Sequence, residues 1–236
     1  MPVASADFDD PWLRASYLVL APARSAAALE PLLAWRRTQG LSAELFTWDE
    51  VYARFSAGAP DPRAVAALLE WAETRWAEAP RYLLIVGDAS YDPWNFTGTA
   101  RPADAPLAEQ FDPSFPYRTY SDALLTGGAD VAVGRLPTSD PQTLAAYADK
   151  VIAYESQVPT RPTNGVALSG NQSAGDPSFG DVAAQLIASA RADGMALDAN
   201  DTTPEELAAA WSDTDLVIYA GHGDSSAWST NLLHRE

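Results

Sequence analysis

Apolar and polar positions along the 236-residue chain alternate between two periods. "YLVLAP" (Tyr17 to Pro22) is a short continuous apolar run, the pattern of a strand buried on both faces. From Ser25 to Gln39 the apolar residues return at helical spacing, at Ala28, Leu29, Leu32, Leu33 and Trp35, until Gly40 stops the pattern. "LSAELFTW" (Leu41 to Trp48) predicts a second strand, with a short helix around Asp49 to Phe55 after it. Asp61 is placed to cap a helix with Pro62 at its first position, and Val65, Leu68, Leu69, Ala72 and Trp76 form its apolar stripe. "RYLLIVGDAS" gives a third strand, ending in Gly87 and Asp88. Buried strands separated by helices predict an α/β fold with a mostly parallel sheet covered by helices on both faces.

The pattern breaks from Ala89 to Gly128, where prolines and aromatics follow no period, and the stretch reads as a long structured loop with room for a hairpin. "ADVAVGRLP" (Ala129 to Pro137) restores a strand, and Asp140 with Pro141 starts a helix through Leu144, Tyr147, Val151 and Tyr154. Pro159 to Thr163 marks a boundary. Beyond it "GVALSG" (Gly165 to Gly170), a helix from about Asp181 to Asp193, a weak strand near Met195 to Leu197, a helix capped near Thr203 with Pro204, and "DLVIYAG" repeat the alternation. The expected organisation is a lead segment over 1–15, a first α/β subdomain over 16–158 containing the loop 89–128, and part of a second α/β subdomain over 159–236.

Composition narrows the function classes. An apolar content of 47% suffices to bury a full core. The formal charge of −17 leaves no basic face for a phosphate backbone, so nucleic acid is not an expected partner. No apolar run reaches the length of a membrane span. The N-terminus, MPVASADFDDPW, lacks the basic and apolar regions of a secretory signal. The 236 residues contain no cysteine, which excludes a disulfide, a thiolate metal site and a thiol nucleophile within them. Oligomeric state has no signature in the sequence.

Ligands of open parallel sheets bind beyond the carboxyl ends of the strands. Three such ends carry polar residues: Gly87-Asp88, the stretch Ser169 to Asp181, and Gly221-His222-Gly223. Asp88 and Asp92 can hold a metal or orient a base, or they can cap turns. His222 stands out because its flanking glycines carry no side chains and histidine changes charge near neutrality, which suits proton transfer. The Gly223 N–H is a candidate oxyanion donor. Against that stands a turn histidine bonded to a loop carbonyl. His234 reads as an ordinary surface residue. Ser225 and Ser226 follow His222 on one loop without a nucleophile-elbow pattern, a poor basis for a serine hydrolase. An oxygen-only calcium site using Asp176, Asp181 or Asp224 stays open.

In order and spacing, "YLVLAP", "LEPLLAWRRTQGLSAELFTWDEVYARFSAG", "PRYLLIVGDASYDPWN", "YSDALLTGGADVAVGRLPTSDPQTLAAYADKVIAYE" and "DLVIYAGHGDSSAW" resemble the gingipain-like cysteine peptidases of family C25, in the caspase-like clan. The resemblance runs from about Ser16 to Leu233. It implies a caspase-like α/β catalytic domain in two subdomains, the second incomplete here. His222 corresponds to the catalytic histidine of the GHG motif, with Gly223 contributing an oxyanion N–H. Family nucleophiles are cysteines one strand further along, so the resemblance implies that this chain stops short of its cysteine and is inactive alone. Asp181, with Asp176 second, is the counterpart of the acidic residue that favours a basic P1 side chain in arginine-specific members; the alternative is that Asp181 only caps its helix. Gly170 or Asn171 stands where some members place a glutamate near the histidine, which leaves the orientation of His222 without that partner. Asp122 and Arg135 match recurring positions that tie the long loop to the sheet. The resemblance further implies a polypeptide substrate, secretion or surface display, and no required cofactor, calcium remaining open. A sortase-like or transpeptidase component of a secretion system, or a non-catalytic binding module on the same fold, is the alternative.

Overall fold

A computed structural model of the chain describes residues 6–90, 96, 98, 105–106, 109–111, 118–157, 164–170, 175–176, 178–200, 214–223, 227–228 and 233–234. The chain forms two compact units, Met1–Ser156 and Gln157–Glu236. The proline pair at Pro159 and Pro162 and the helix expected near Thr203 lie outside the described residues.

The first unit is built on four parallel strands: β1 (Tyr17–Ala21), β2 (Ala43–Thr47), β3 (Tyr82–Val86) and β6 (Ala132–Leu136), in the order β2-β1-β3-β6. Between them run α1 (Ala26–Thr38), α2 (Trp48–Phe55), α3 (Arg63–Arg75) and, after β6, α4 (Pro141–Gln157). Strand alternation explains the two-sided burial. Leu18, Leu20, Phe46, Leu83 and Ile85 meet Val51, Val65, Leu68 and Ala72 of α2 and α3. Val19, Ala21 and Val86 meet Leu29 and Leu33 of α1 and Leu144 of α4 on the other face. A continuous apolar run is thus two alternating sets, each with its own helix layer.

Helix limits follow local chemistry. Thr47 and Glu50 form a reciprocal capping box on α2, the Glu50 carboxylate accepting from Thr47 N at 2.7 Å. Asp140 Oδ2 accepts from Thr143 N at 2.8 Å at the start of α4. α3 begins at Arg63, one residue after the expected Pro62, while Asp61 Oδ1 accepts from Arg63 N at 2.9 Å. The N-cap is therefore Pro62, which makes no side-chain cap hydrogen bond, and Asp61 contacts the helix start from the position before it. In the long loop, β4 (Glu109–Phe111) and β5 (Arg118–Tyr120) form an antiparallel hairpin.

The second unit holds the parallel strands β7 (Asn164–Ser169), β8 (Ala196–Asn200) and β9 (Leu216–Ala220) in the order β8-β7-β9, with α5 (Phe179–Ala192) between β7 and β8. Ala167, Leu197 and Ile218 pack against Ala183 and Ile187 of α5. Val166, Leu168, Val217 and Tyr219 share the opposite face. The weak strand expected at Met195 to Leu197 extends to Asn200, because each of its residues pairs with β7 from Asn164 to Leu168. Two short strands, β10 (Ala227–Trp228) and β11 (Leu233–His234), pair antiparallel. His234, read from sequence as an ordinary surface position, thus lies on β11. Parallel sheets flanked by helices give the expected α/β class. Among the described residues, no helix is long and apolar enough to cross a membrane.

Candidate active site

β7 and β9 run parallel with Ser169 opposite Ala220, so their carboxyl ends leave the sheet side by side. Asn164 and Asp215 lock the other end, the amide of each held by the side chain of the other at 3.3 and 2.8 Å. Gly170 N donates to Ala220 O at 2.9 Å, carrying the pairing one residue past the strands. The chain leaving Gly170 and the chain leaving Ala220 are therefore neighbours, although their sequence numbers differ by about fifty.

From the β9 side comes His222, whose side chain is 61% exposed. From the β7 side comes Asp176, after Gly175 at φ +98°, a conformation that favours glycine. His222 Nε2 lies 2.8 Å from Asp176 Oδ2, and the Asp176 side chain is only 16% exposed. An ionised carboxylate can only accept, so in the neutral imidazole this contact favours the tautomer with the proton on Nε2 and leaves Nδ1 as the acceptor. Phe179, the first residue of α5, meets the imidazole edge to face at 5.2 Å and 87°, bracing its plane. The Tyr219 hydroxyl donates to the His222 carbonyl at 2.7 Å. The imidazole is thus held through its ring nitrogen, its face and its backbone while much of it meets solvent.

Sequence reading set Asp176 beside Asp181 as a pocket carboxylate; in the structure the Asp176 carboxylate meets the imidazole of His222. Asp181 stays exposed in the first turn of α5. It is not the cap of that helix: Ser178 is, its Oγ accepting from Asp181 N at 3.2 Å. Gly223 follows His222 directly and is exposed. Asp224, Ser225 and Ser226 lie outside the described residues, as does Asp92. Among the described residues, no group of three or more His, Cys, Asp or Glu side chains converges. Sequence reading missed the roles of Tyr219 and Phe179. Strand alternation from Val217 places Tyr219 on a definite face, but its reach to a carbonyl three residues on is visible only in three dimensions.

At the end of β3, Asp88 Oδ1 accepts from the neighbouring Ala89 N at 2.9 Å, a local turn contact. Arg135 donates to Gly87 O at 3.0 Å and Pro106 O at 2.8 Å and pairs with Asp122 at 2.6 Å, tying the loop after β3 to β6.

The sequence model of peptidase family C25 matches residues 10–236. The chain belongs to peptidase family C25. Members of this C25 family are cysteine peptidases, which agrees with the resemblance carried by the GHG segment and the strands around it. No curated protein gives a significant match. Among solved structures, a protease is similar at 18% identity and a TM-score of 0.60, over 92% of this chain and 46% of that one. Dimeric latent PorU from Porphyromonas gingivalis is similar at 21% identity and a TM-score of 0.49, over 58% of this chain and 15% of that one. The C25 chain thus spans less than half the length of either structure. The first likeness supports the fold of this family member alone.

Proposed function

We propose that the chain carries the histidine half of a Cys–His dyad in a gingipain-like cysteine endopeptidase, the cysteine being supplied by sequence beyond Glu236. In this reaction the thiol gives its proton to His222 Nδ1 and the sulfur attacks the scissile carbonyl carbon. The Gly223 N–H stabilises the resulting oxyanion. The imidazolium then returns the proton to the leaving amine as the C–N bond breaks, and water hydrolyses the thioester with His222 as base. Asp176 holds the Nε2–H tautomer and stabilises the imidazolium, the role that the resemblance gives in some members to a glutamate near the histidine. Asp181 is the candidate carboxylate for a basic P1 side chain, through a charge-assisted contact. The chemistry requires no cofactor, and the substrate is a polypeptide met outside the cell or at its surface.

The observation that carries this reading is the exposed imidazole fixed through Nε2 by Asp176, on a chain whose residues 10–236 match a cysteine peptidase family. It is tested by treating the full-length gene product with a peptidyl chloromethyl ketone and locating the adduct by mass spectrometry. A thioether on a cysteine following Glu236 is expected. An adduct on Ser225 or Ser226, or none at all, overturns the dyad. Incorporation of an added amine into the product would reassign the protein as a transpeptidase.

A further inference from the structure

The geometry points to Tyr219 as a positioning residue that aims the Gly223 N–H, an inference that rests on the catalytic roles given above to His222 and Gly223. Tyr219 lies on the β9 face turned away from α5, beside Val217, Val166 and Leu168. Its hydroxyl passes the strand ends to reach the His222 carbonyl at 2.7 Å.

That path exists only because two residues lack side chains. A Cβ on Gly170 would fall well inside contact distance of the Tyr219 hydroxyl and 3.1 Å from Cζ. A Cβ on Gly221 would collide with the same hydroxyl and stand 2.6 Å from Cζ and 2.9 Å from Gly170 Cα. The first glycine of the GHG segment therefore clears a way for a tyrosine. From sequence the flanking glycines read as room for a ligand.

The consequence lies in the peptide that Tyr219 holds. The His222 carbonyl and the Gly223 N–H are two ends of one rigid plane, pointing in opposite directions, and no cis peptide bond occurs among the described residues. Fixing the oxygen fixes the direction of the N–H. Gly223 has no Cβ to restrict rotation of this plane, so its direction depends on the bonds made to it, the Tyr219 hydrogen bond and the isolated β-bridge of Gly223 among them. A donor to a developing oxyanion works to the extent that it is already oriented before charge develops. Tyr219 touches no reacting atom and moves no proton in this role; it sets the direction of the group that does the stabilising.

Tyr219→Phe keeps the ring between the two glycines and removes only the hydroxyl. In the 236-residue chain, the Gly223 amide resonance should shift and its backbone order parameter should fall, because the peptide plane loses the bond that holds it, while the β7 and β9 amides stay unchanged. In the full-length gene product, kcat should fall about tenfold with KM unchanged, because the lost interaction belongs to the transition state. Gly170→Ala, which keeps the hydroxyl but displaces it, should move both readouts the same way. A Gly223 amide that stays as ordered as in the wild type, or a kcat that holds while the amide loosens, overturns the proposal. The amide measurement needs no activity, so it decides about the latch even if His222→Ala turns out to leave peptide cleavage intact and the catalytic reading fails.

Discussion

At the residue scale, the proposed chemistry of the second unit rests on one imidazole and the groups that hold it. Asp176 meets Nε2 at 2.8 Å, so in the neutral ring Nδ1 is the nitrogen left to accept a proton in the proposed reaction. In the neutral form, ¹⁵N shifts of the His222 ring in the 236-residue chain should therefore report the Nε2–H tautomer, and Asp176→Asn should mix the two tautomers. A hydrogen bond to a charged group is worth about 1.5–3 kcal/mol, so the same substitution in the full-length protein should lower kcat by about 10- to 100-fold. An unmixed tautomer in Asp176→Asn would mean that something other than the carboxylate orients the ring. His222 itself was legible in the sequence, as a histidine between glycines at the end of an apolar run. Its carboxylate partner was not, because the residues meet only through the pairing of β7 with β9, and nothing local to either segment announces that adjacency. The capping box was there to be read, since a threonine followed three positions later by a glutamate opens "TWDE".

At the element scale, period and boundary signals were read well wherever the partner of an element is its own sequence neighbour. α1 ends at Thr38 ahead of Gly40, whose φ of +82° closes the helix, and the stripe of α3 is buried as the spacing required. β8 was the weak case because its own residues carry little strand signal and its length is set by β7. Replacing Leu68, fully buried between α3 and the sheet, by Ala should cost about 2–5 kcal/mol in denaturant unfolding, whereas Thr47→Ala at the α2 cap should cost only about 1 kcal/mol. α4 is fastened to α1 by Glu155, which accepts from Arg36 at 2.7 Å and from Trp35 Nε1 at 2.6 Å. Burial pushes the Glu155 carboxyl up, but the hydrogen bonds from Arg36 and Trp35 and the charge of Arg36 outweigh it and hold it below the usual range. A carboxyl depressed on folding binds fewer protons folded than unfolded. Its stabilisation is therefore complete above the unfolded value, about pH 4.3, and is lost as pH falls through the lower folded value. The stability difference between wild type and Glu155→Gln should be about 1 kcal/mol or less near neutrality and shrink toward zero in acid. A difference that grows on acidification would contradict this sign.

At the scale of the whole molecule, each unit owns its helices and its sheet, and the first has apolar clusters on both faces of four strands. A chain ending at Ser156 should therefore unfold cooperatively on its own, as a single thermal transition followed by circular dichroism. The 32 acidic against 15 basic side chains repel one another, so raising the salt from about 10 mM to about 150 mM should raise the melting temperature of the 236-residue chain. The overall class was legible because apolar runs and helical stripes alternate along the sequence. The proposed active arrangement is legible only in part, since the 236 residues hold no cysteine to serve as the proposed nucleophile. The most direct test of the central claim is the rate of peptide hydrolysis by the full-length gene product with and without the imidazole. His222→Ala should lower kcat by about 10²–10⁴-fold, the contribution of a positioned acid–base group, in a protein that melts like the wild type. Hydrolysis at the wild-type rate by a folded His222→Ala protein would contradict the account.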